Sequence, residues 1–123
     1  MYSPRVLDHF ENPRNAGDIE NADAVVKIEN PACGDVLQLA ARTIDGRVTD
    51  VRFRAQGCVA AMACASALTV LLKGKRIDEA RRLDRDEVLN EVGGLPEASG
   101  HAAHLAVDAW RALLKQLETQ PGK

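Results

Sequence analysis

Hydrophobic positions along the chain change period twice, and each change marks a change of element. Near the start Val6, Leu7 and Phe10 recur at helical spacing. Ser3 is placed to cap that helix and Pro4 to open it, and Asn12-Pro13 ends it. Residues 14–23 are polar, contain Gly17 and have no period, which predicts a loop. Three strand-like runs follow. Residues 24–29 read Ala-Val-Val-Lys-Ile-Glu, and residues 36–44 alternate through Leu37, Leu39 and Ala41. Residues 48–55 place Val51, Phe53 and Ala55 on one face and Arg52 and Arg54 on the other, the pattern of a half-buried strand. Asn30-Pro31-Ala32-Cys33-Gly34-Asp35 separates the first two runs, and Asp45-Gly46, a strong hairpin signal, separates the last two.

After Gln56-Gly57 the period returns to helical. Cys58 opens an alanine-rich helix that ends at Lys73-Gly74-Lys75, and its small residues with Leu68, Leu71 and Leu72 predict burial almost all round. Gly74 between two lysines reads as its C-cap. Two short helices follow at 77–82 and 84–91, the second with Asp84 as N-cap and Glu87 completing a capping box. Gly93-Gly94-Leu95-Pro96 is a break. The last helix starts between 99 and 101 and runs to about 117, with His101, Leu105, Ala109, Ala112 and Leu113 along one side. The expected fold class is α+β: a three-stranded antiparallel sheet with a leading helix and a helical second half packed on it. One domain over residues 1–118 and a flexible tail at 119–123 are expected.

Composition narrows the function. At 123 residues, with 46% apolar and 28% charged positions, the chain matches an ordinary globular domain and needs no metal or disulfide to hold a core. A net charge of −2 argues against a nucleic-acid partner, and 3% aromatic content offers no platform for stacked bases. The apolar stretch at 57–72 is shorter than the ~20 residues that span a bilayer. Residues 1–15 carry no apolar signal-peptide core. A cytoplasmic location with no membrane partner is expected. There, 3 cysteines are not expected to form disulfides.

Candidate chemistry centres on two junctions. In Cys33-Gly34-Asp35, Gly34 lets a thiolate and a carboxylate lean toward one point, and both are metal ligands. The motif alone is short, and a plain loop cysteine is the commoner case. Cys58 sits at a strand-to-helix junction, where a helix N-terminus favours a thiolate; a buried small residue is the alternative. A hairpin with similar arms about Asp45-Gly46 brings Cys33 and Asp35 to the Cys58 end. Cys64 points about a third of a turn away from Cys58 and reads as core. His101 and His104 share a helix face, and one of them could complete a site. His9 reads as a surface or hydrogen-bonded histidine. No Ser-His-Asp order, nucleotide loop or glycine-rich phosphate motif is present.

These residues resemble the IscU/SufU/NifU N-terminal family of iron–sulfur cluster assembly scaffolds, from Tyr2 to about Leu114. The leading segment Asp8-His9-Phe10-Glu11-Asn12-Pro13-Arg14-Asn15 with Gly17, the loops Pro31-Ala32-Cys33-Gly34-Asp35 and Gly57-Cys58, and Lys73-Gly74-Lys75 with Asp78-Glu79-Ala80 carry the resemblance. It implies a SufE/IscU-like fold and a metal or cluster site at Cys33, Asp35, Cys58 and His101; apart from the resemblance, His104 is a candidate additional ligand. The cargo it implies is Zn or Fe, or a [2Fe-2S] cluster. The implied partners are a cysteine desulfurase and apo iron–sulfur client proteins.

Two departures stand out. Ala102, directly after His101, replaces the family's third cysteine. Leu95-Pro96-Glu97-Ala98-Ser99 replaces the Leu-Pro-Pro-Val-Lys motif of scaffolds served by a dedicated chaperone, which argues against that partner. Two cysteines, an aspartate and a histidine are weaker donors than the usual cluster thiolates and suit tetrahedral zinc equally well or better. The expectation is a carrier rather than an enzyme. The alternatives are a degenerate paralogue acting as an interaction module, or a zinc-dependent sulfur acceptor for the desulfurase.

Overall fold

A computed structural model of the chain describes residues 2–30 and 34–118. The expected tail, 119–123, lies outside the described residues. The fold is α+β, with a three-stranded antiparallel sheet in the order β1-β2-β3 and helices packed on one face.

Ser3 caps α1 (Pro4–Glu11) by accepting from Val6 N at 3.1 Å, and its hydroxyl donates to Val92 O. The strands are β1 (Ala24–Asn30), β2 (Asp35–Ile44) and β3 (Arg47–Gln56). Asp45 and Gly46 join β2 to β3 with φ of 53° and 77°. Both values are positive, as the tight turn matching strand twist requires. A register shift between Arg42 and Thr43 follows, and beyond it Leu37 faces Ala55 and Val36 faces Gln56. Asn30 faces Asp35 across β1 and β2. One end of the sheet therefore gathers the start of β2 and the end of β3.

Leu37, Leu39, Ala41, Val51 and Phe53 point from the sheet into the core. Against them lie α2 (Val59–Leu72) and α5 (His101–Glu118). Helix α2 is buried on nearly every side, because α1 packs on it opposite the sheet. Its alanines permit that close approach, and its end is marked by Gly74, whose N–H donates to Val48 O at 2.7 Å. Helix α5 is amphipathic and buries Trp110, whose Nε1 donates to Ala80 O at 2.8 Å. That bond ties α5 to α3 (Ile77–Ala80), which is shorter than the 77–82 expected from sequence. Asp84 caps α4 (Arg85–Glu91) by accepting from Glu87 N.

The loop at 14–23 is more ordered than its lack of period suggests. Gly17 N donates to Phe53 O at 2.8 Å and Phe53 N to Asn15 O at 3.0 Å, so this segment pairs with the outer edge of β3. Val48 N donates to Lys75 O farther along the same edge. The other edge is met by Gln116, whose Oε1 accepts from Val25 N at 2.8 Å. Both edges are thus engaged from within the chain, which blunts them as templates for aggregation. Among the described residues, no helix is long and apolar enough to cross a membrane.

Candidate metal centre

Three elements deliver one side chain each to the gathered end of the sheet. Asp35 is the first residue of β2, Cys58 is the N-cap of α2, and His101 is the first residue of α5. Their donor atoms all lie within 4.8 Å of one another. Asp35 Oδ2 is 3.5 Å from Cys58 Sγ and 3.3 Å from His101 Nε2. Asp35 Oδ1 accepts from Cys58 N at 3.0 Å. The carboxylate is 1% exposed, so it is locked by the Cys58 backbone on one oxygen and faces the thiol and imidazole with the other.

Gly57 makes this arrangement sterically feasible. Its φ is 143°, and a Cβ built there would fall on Asp35 Oδ1, 2.8 Å from its Cγ and 3.1 Å from its Cα. The Asp35 carboxylate occupies the volume that a side chain at 57 would take. The sequence marks Gly57 only as the close of a strand; its role as the seat of Asp35 depends on the register across the hairpin.

Cys58 Sγ accepts from Ala61 N at 3.3 Å, so the thiol itself caps α2. That N–H favours the thiolate, as expected for a helix N-terminus. Burial outweighs it, and the negative Asp35 adds to burial; together they push the Cys58 thiol above its ordinary value. The expectation of a helix-stabilised thiolate is therefore corrected: without a cation the proton stays, pointed at the carboxylate. His101 Nε2 is buried and, among the described residues, makes no hydrogen bond. A cation among the three groups would replace the thiol proton and supply the imidazole with a partner. Thiolate, imidazole and carboxylate together are a donor set for zinc or ferrous iron.

Cys33 lies outside the described residues. His104 is exposed, one turn along α5 from His101, and does not belong to the converging group. It lines a cleft of about 180 Å³ with Ile28, Glu29, Asn30, His101, Leu105 and Asp108. Cys64 is fully buried in the core, with burial the main cause pushing its thiol up to about 12. Ala102 is also fully buried. His9, 5% exposed, shares a 2.8 Å hydrogen bond through Nδ1 with Ser66 Oγ and sits 3.5 Å from Glu91 through Nε2.

The model of the NifU-like N terminal domain family matches residues 1–123. The iron-sulfur cluster assembly scaffold protein IscU 1 of Archaeoglobus fulgidus is 44% identical over 123 residues, covering 100% of this chain and 80% of the relative. The IscU scaffold protein of Escherichia coli strain K12 is 38% identical over 123 residues, covering 97% and 95%. Among solved structures, the N-terminal part of a nitrogen-fixing NifU-like protein from Brucella abortus superposes with a TM-score of 0.78 at 25% identity, covering 96% of this chain and 94% of that one. A putative SUF-system scaffold from Fervidobacterium islandicum AW-1 shares the fold, with a TM-score of 0.77 at 21% identity, covering 92% and 96%.

Proposed function

The chain belongs to the NifU-like N-terminal domain family, and we propose that it acts as an iron–sulfur cluster assembly scaffold that holds its cargo at Cys33, Asp35, Cys58 and His101. The convergence of Asp35, Cys58 and His101 within 4.8 Å carries the reading. The cargo is a zinc or iron ion or a [2Fe-2S] cluster. Asp35 presents one oxygen from a fixed carboxylate, since Cys58 N holds the other. Cys58 gives up its proton on loading, so capture is coupled to proton release. His101 adds the imidazole. Fewer thiolates than a resident cluster site uses make the grip weaker. That suits a carrier that takes sulfur through a cysteine desulfurase and passes its cargo to apo client proteins. It acts without turnover of its own, in the cytoplasm. The departure from the expected motif at 95–99 argues against a dedicated chaperone as a partner.

Metal analysis of the purified protein, followed by anaerobic reconstitution with iron and sulfide, tests this. One equivalent of bound metal is expected in the wild type, and it should be lost in Cys58→Ser and Asp35→Asn variants that keep the fold. Metal content unchanged by both substitutions would overturn the site. Ala102, where a third thiolate is expected, favours a second reading as an interaction module. Desulfurase binding without any visible-absorbing cluster would select it.

A further inference from the structure

Helix α1 stands apart from the main core. Its one fully buried apolar side chain, Val6, packs with Ala63 and Ala67 of α2 and with Val92 at the end of α4, in a cluster separate from the one between sheet and helices. Among the described residues, the polar ties from α1 and its cap to α4 all land on that same end. Ser3 Oγ donates to Val92 O, Arg5 Nη1 donates to Asn90 O at 3.3 Å, and His9 Nε2 lies 3.5 Å from Glu91. Gly93 and Gly94 come next, both at positive φ, 74° and 91°. From 93 to 101 no residue is buried, and the one turn of helix on the way, Glu97–Ser99, has no side-chain cap. Leu95 alone among them packs against the apolar clusters, and Tyr2, beside Ser3, packs against the same two. Residues 93–101 thus hang between two fully buried anchors, Val92 and Ala102. An open groove of about 430 Å³, lined by Tyr2, Ser3 and residues 93–96, separates the start of α1 from this stretch.

We infer that α1 is a latch on the segment that delivers His101. Docked, it fixes the upstream anchor of residues 93–100; undocked, it releases that anchor and lets His101 leave Asp35 and Cys58. The latch rests on the reading of those three residues as the cargo site, and it sets how that site lets go. His101 is the donor that leaves. Asp35 and Cys58 are joined by the bond from Cys58 N to Asp35 Oδ1, whereas His101 Nε2 makes no hydrogen bond among the described residues. Helix α1 is the element that opens, because a single valine among alanines gives it little apolar contact to lose. Elements with few such contacts open locally, well below the cost of global unfolding. The groups it uncovers accept water readily: Ser66 Oγ and the carbonyls of Asn90 and Val92 regain hydrogen bonds there. The swing stops at residues 12–14. Arg14 N donates to Ser66 Oγ at 2.9 Å, and Asn15 O and Gly17 N pair with the backbone of Phe53.

Hydrogen exchange of the zinc-loaded full chain, with zinc release to excess chelator measured beside it, tests the latch. In the wild type the amides of α1 and of residues 99–105 should exchange together, ahead of those of β2 and α2. Ser3→Ala removes the cap and the tie to Val92 O, and Val6→Ala empties the small cluster. Each should speed zinc release by roughly 5- to 30-fold, the factor that one lost cap or one lost small apolar contact is worth. Val48→Ala trims an equally buried valine at the hairpin end of β3 and should leave the rate unchanged. Equal acceleration by Val48→Ala would overturn the latch, as would wild-type release rates in both α1 variants. A second pair of changes works in the opposite sense. A Cβ at Gly93 would lie 3.5 Å from Ser3 Cβ, a separation that a disulfide spans. In the double variant Ser3→Cys, Gly93→Cys the oxidised form should release zinc more slowly than the reduced form. Backbone strain at position 93 cancels in that comparison, and equal rates would sink the latch. If the wild type binds no zinc, the cargo reading fails alone. Hydrogen exchange of the metal-free chain still decides the latch, since separate opening of α1 and residues 99–105 refutes it.

Discussion

Replacing Gly57 with alanine is the most direct way to disturb the candidate metal centre without touching a metal donor. Two costs add. First, a φ of 143° lies in a region that residues with a Cβ rarely adopt. Strain of that kind is worth about 1–3 kcal/mol. Second, the new Cβ overlaps Asp35 Oδ1, so the carboxylate must leave its place and its bond from Cys58 N. A hydrogen bond to a charged group is worth about 1.5–3 kcal/mol. The expected loss is about 2.5–6 kcal/mol, a large share of the 5–15 kcal/mol that holds a typical domain. At this chain length it corresponds to a fall in Tm of roughly 10–24 °C. Urea unfolding followed by far-UV circular dichroism measures it, and zinc affinity should fall in the same variant. A double-mutant cycle isolates the cause. In an Asp35→Ala background the carboxylate is gone, and Gly57→Ala should cost only the backbone strain, which leaves a coupling of about 1.5–3 kcal/mol. Equal cost in both backgrounds would refute the steric account of Gly57.

Three further outcomes follow from buried groups elsewhere. Burial, with the Arg14 charge second, holds the His9 imidazole below its ordinary value of 6.5 against the opposing pull of Glu91 and Asp8. The unfolded chain therefore takes up a proton at higher pH than the folded one, so His9 costs nothing above 6.5 and removes stability as pH falls through 6.5 toward the depressed folded value. The urea midpoint should drop between pH 7.5 and 5.5, and by less in His9→Gln; an equal drop in both would dismiss His9 as the source. Trp110→Phe should destabilise by about 2 kcal/mol, because the buried Ala80 carbonyl loses its donor and a void opens. Since Trp110 is the only tryptophan, circular dichroism rather than fluorescence must follow the unfolding. Cys64, fully buried with its thiol pushed up to about 12, should resist alkylation by iodoacetamide until the chain unfolds, as peptide mapping would record. Modification in the native state at the rate of a free thiol would contradict its placement.

The difference between Cys58 and Cys64 also bears on how the candidate centre loads. Both thiols are pushed up by burial, but only Cys58 has a carboxylate and an imidazole within reach of the same point. In the absence of a cation the Cys58 proton satisfies Asp35, which avoids two negative charges held 3.5 Å apart. A cation reverses that balance by pairing with both. Loading is therefore expected to be favoured by rising pH, since each captured ion displaces a proton.

The elements and the hairpin are legible in the sequence because their causes are local. Alternation in 48–55, the caps at Ser3 and Asp84, and the Asp45-Gly46 turn depend on neighbours a few residues away, and the structure has all of them. The types of residue that converge at the candidate centre, Asp35, Cys58 and His101, are likewise readable as motif chemistry. What those residues experience is a different matter. That Asp35 rests over Gly57 follows from a strand register that includes a shift at Arg42 and Thr43. That His101 meets Asp35 follows from how α5 crosses the sheet. The pairing of residues 15–17 with β3 leaves no period in the sequence, because its bonds are made by backbone. Even the direction of the Cys58 shift was set by packing: position at a helix start argues for a thiolate, while burial beside a carboxylate holds the proton. Local pattern determines which elements form and which donors exist; desolvation and long-range contact, which no window of sequence contains, decide their charge and their partners.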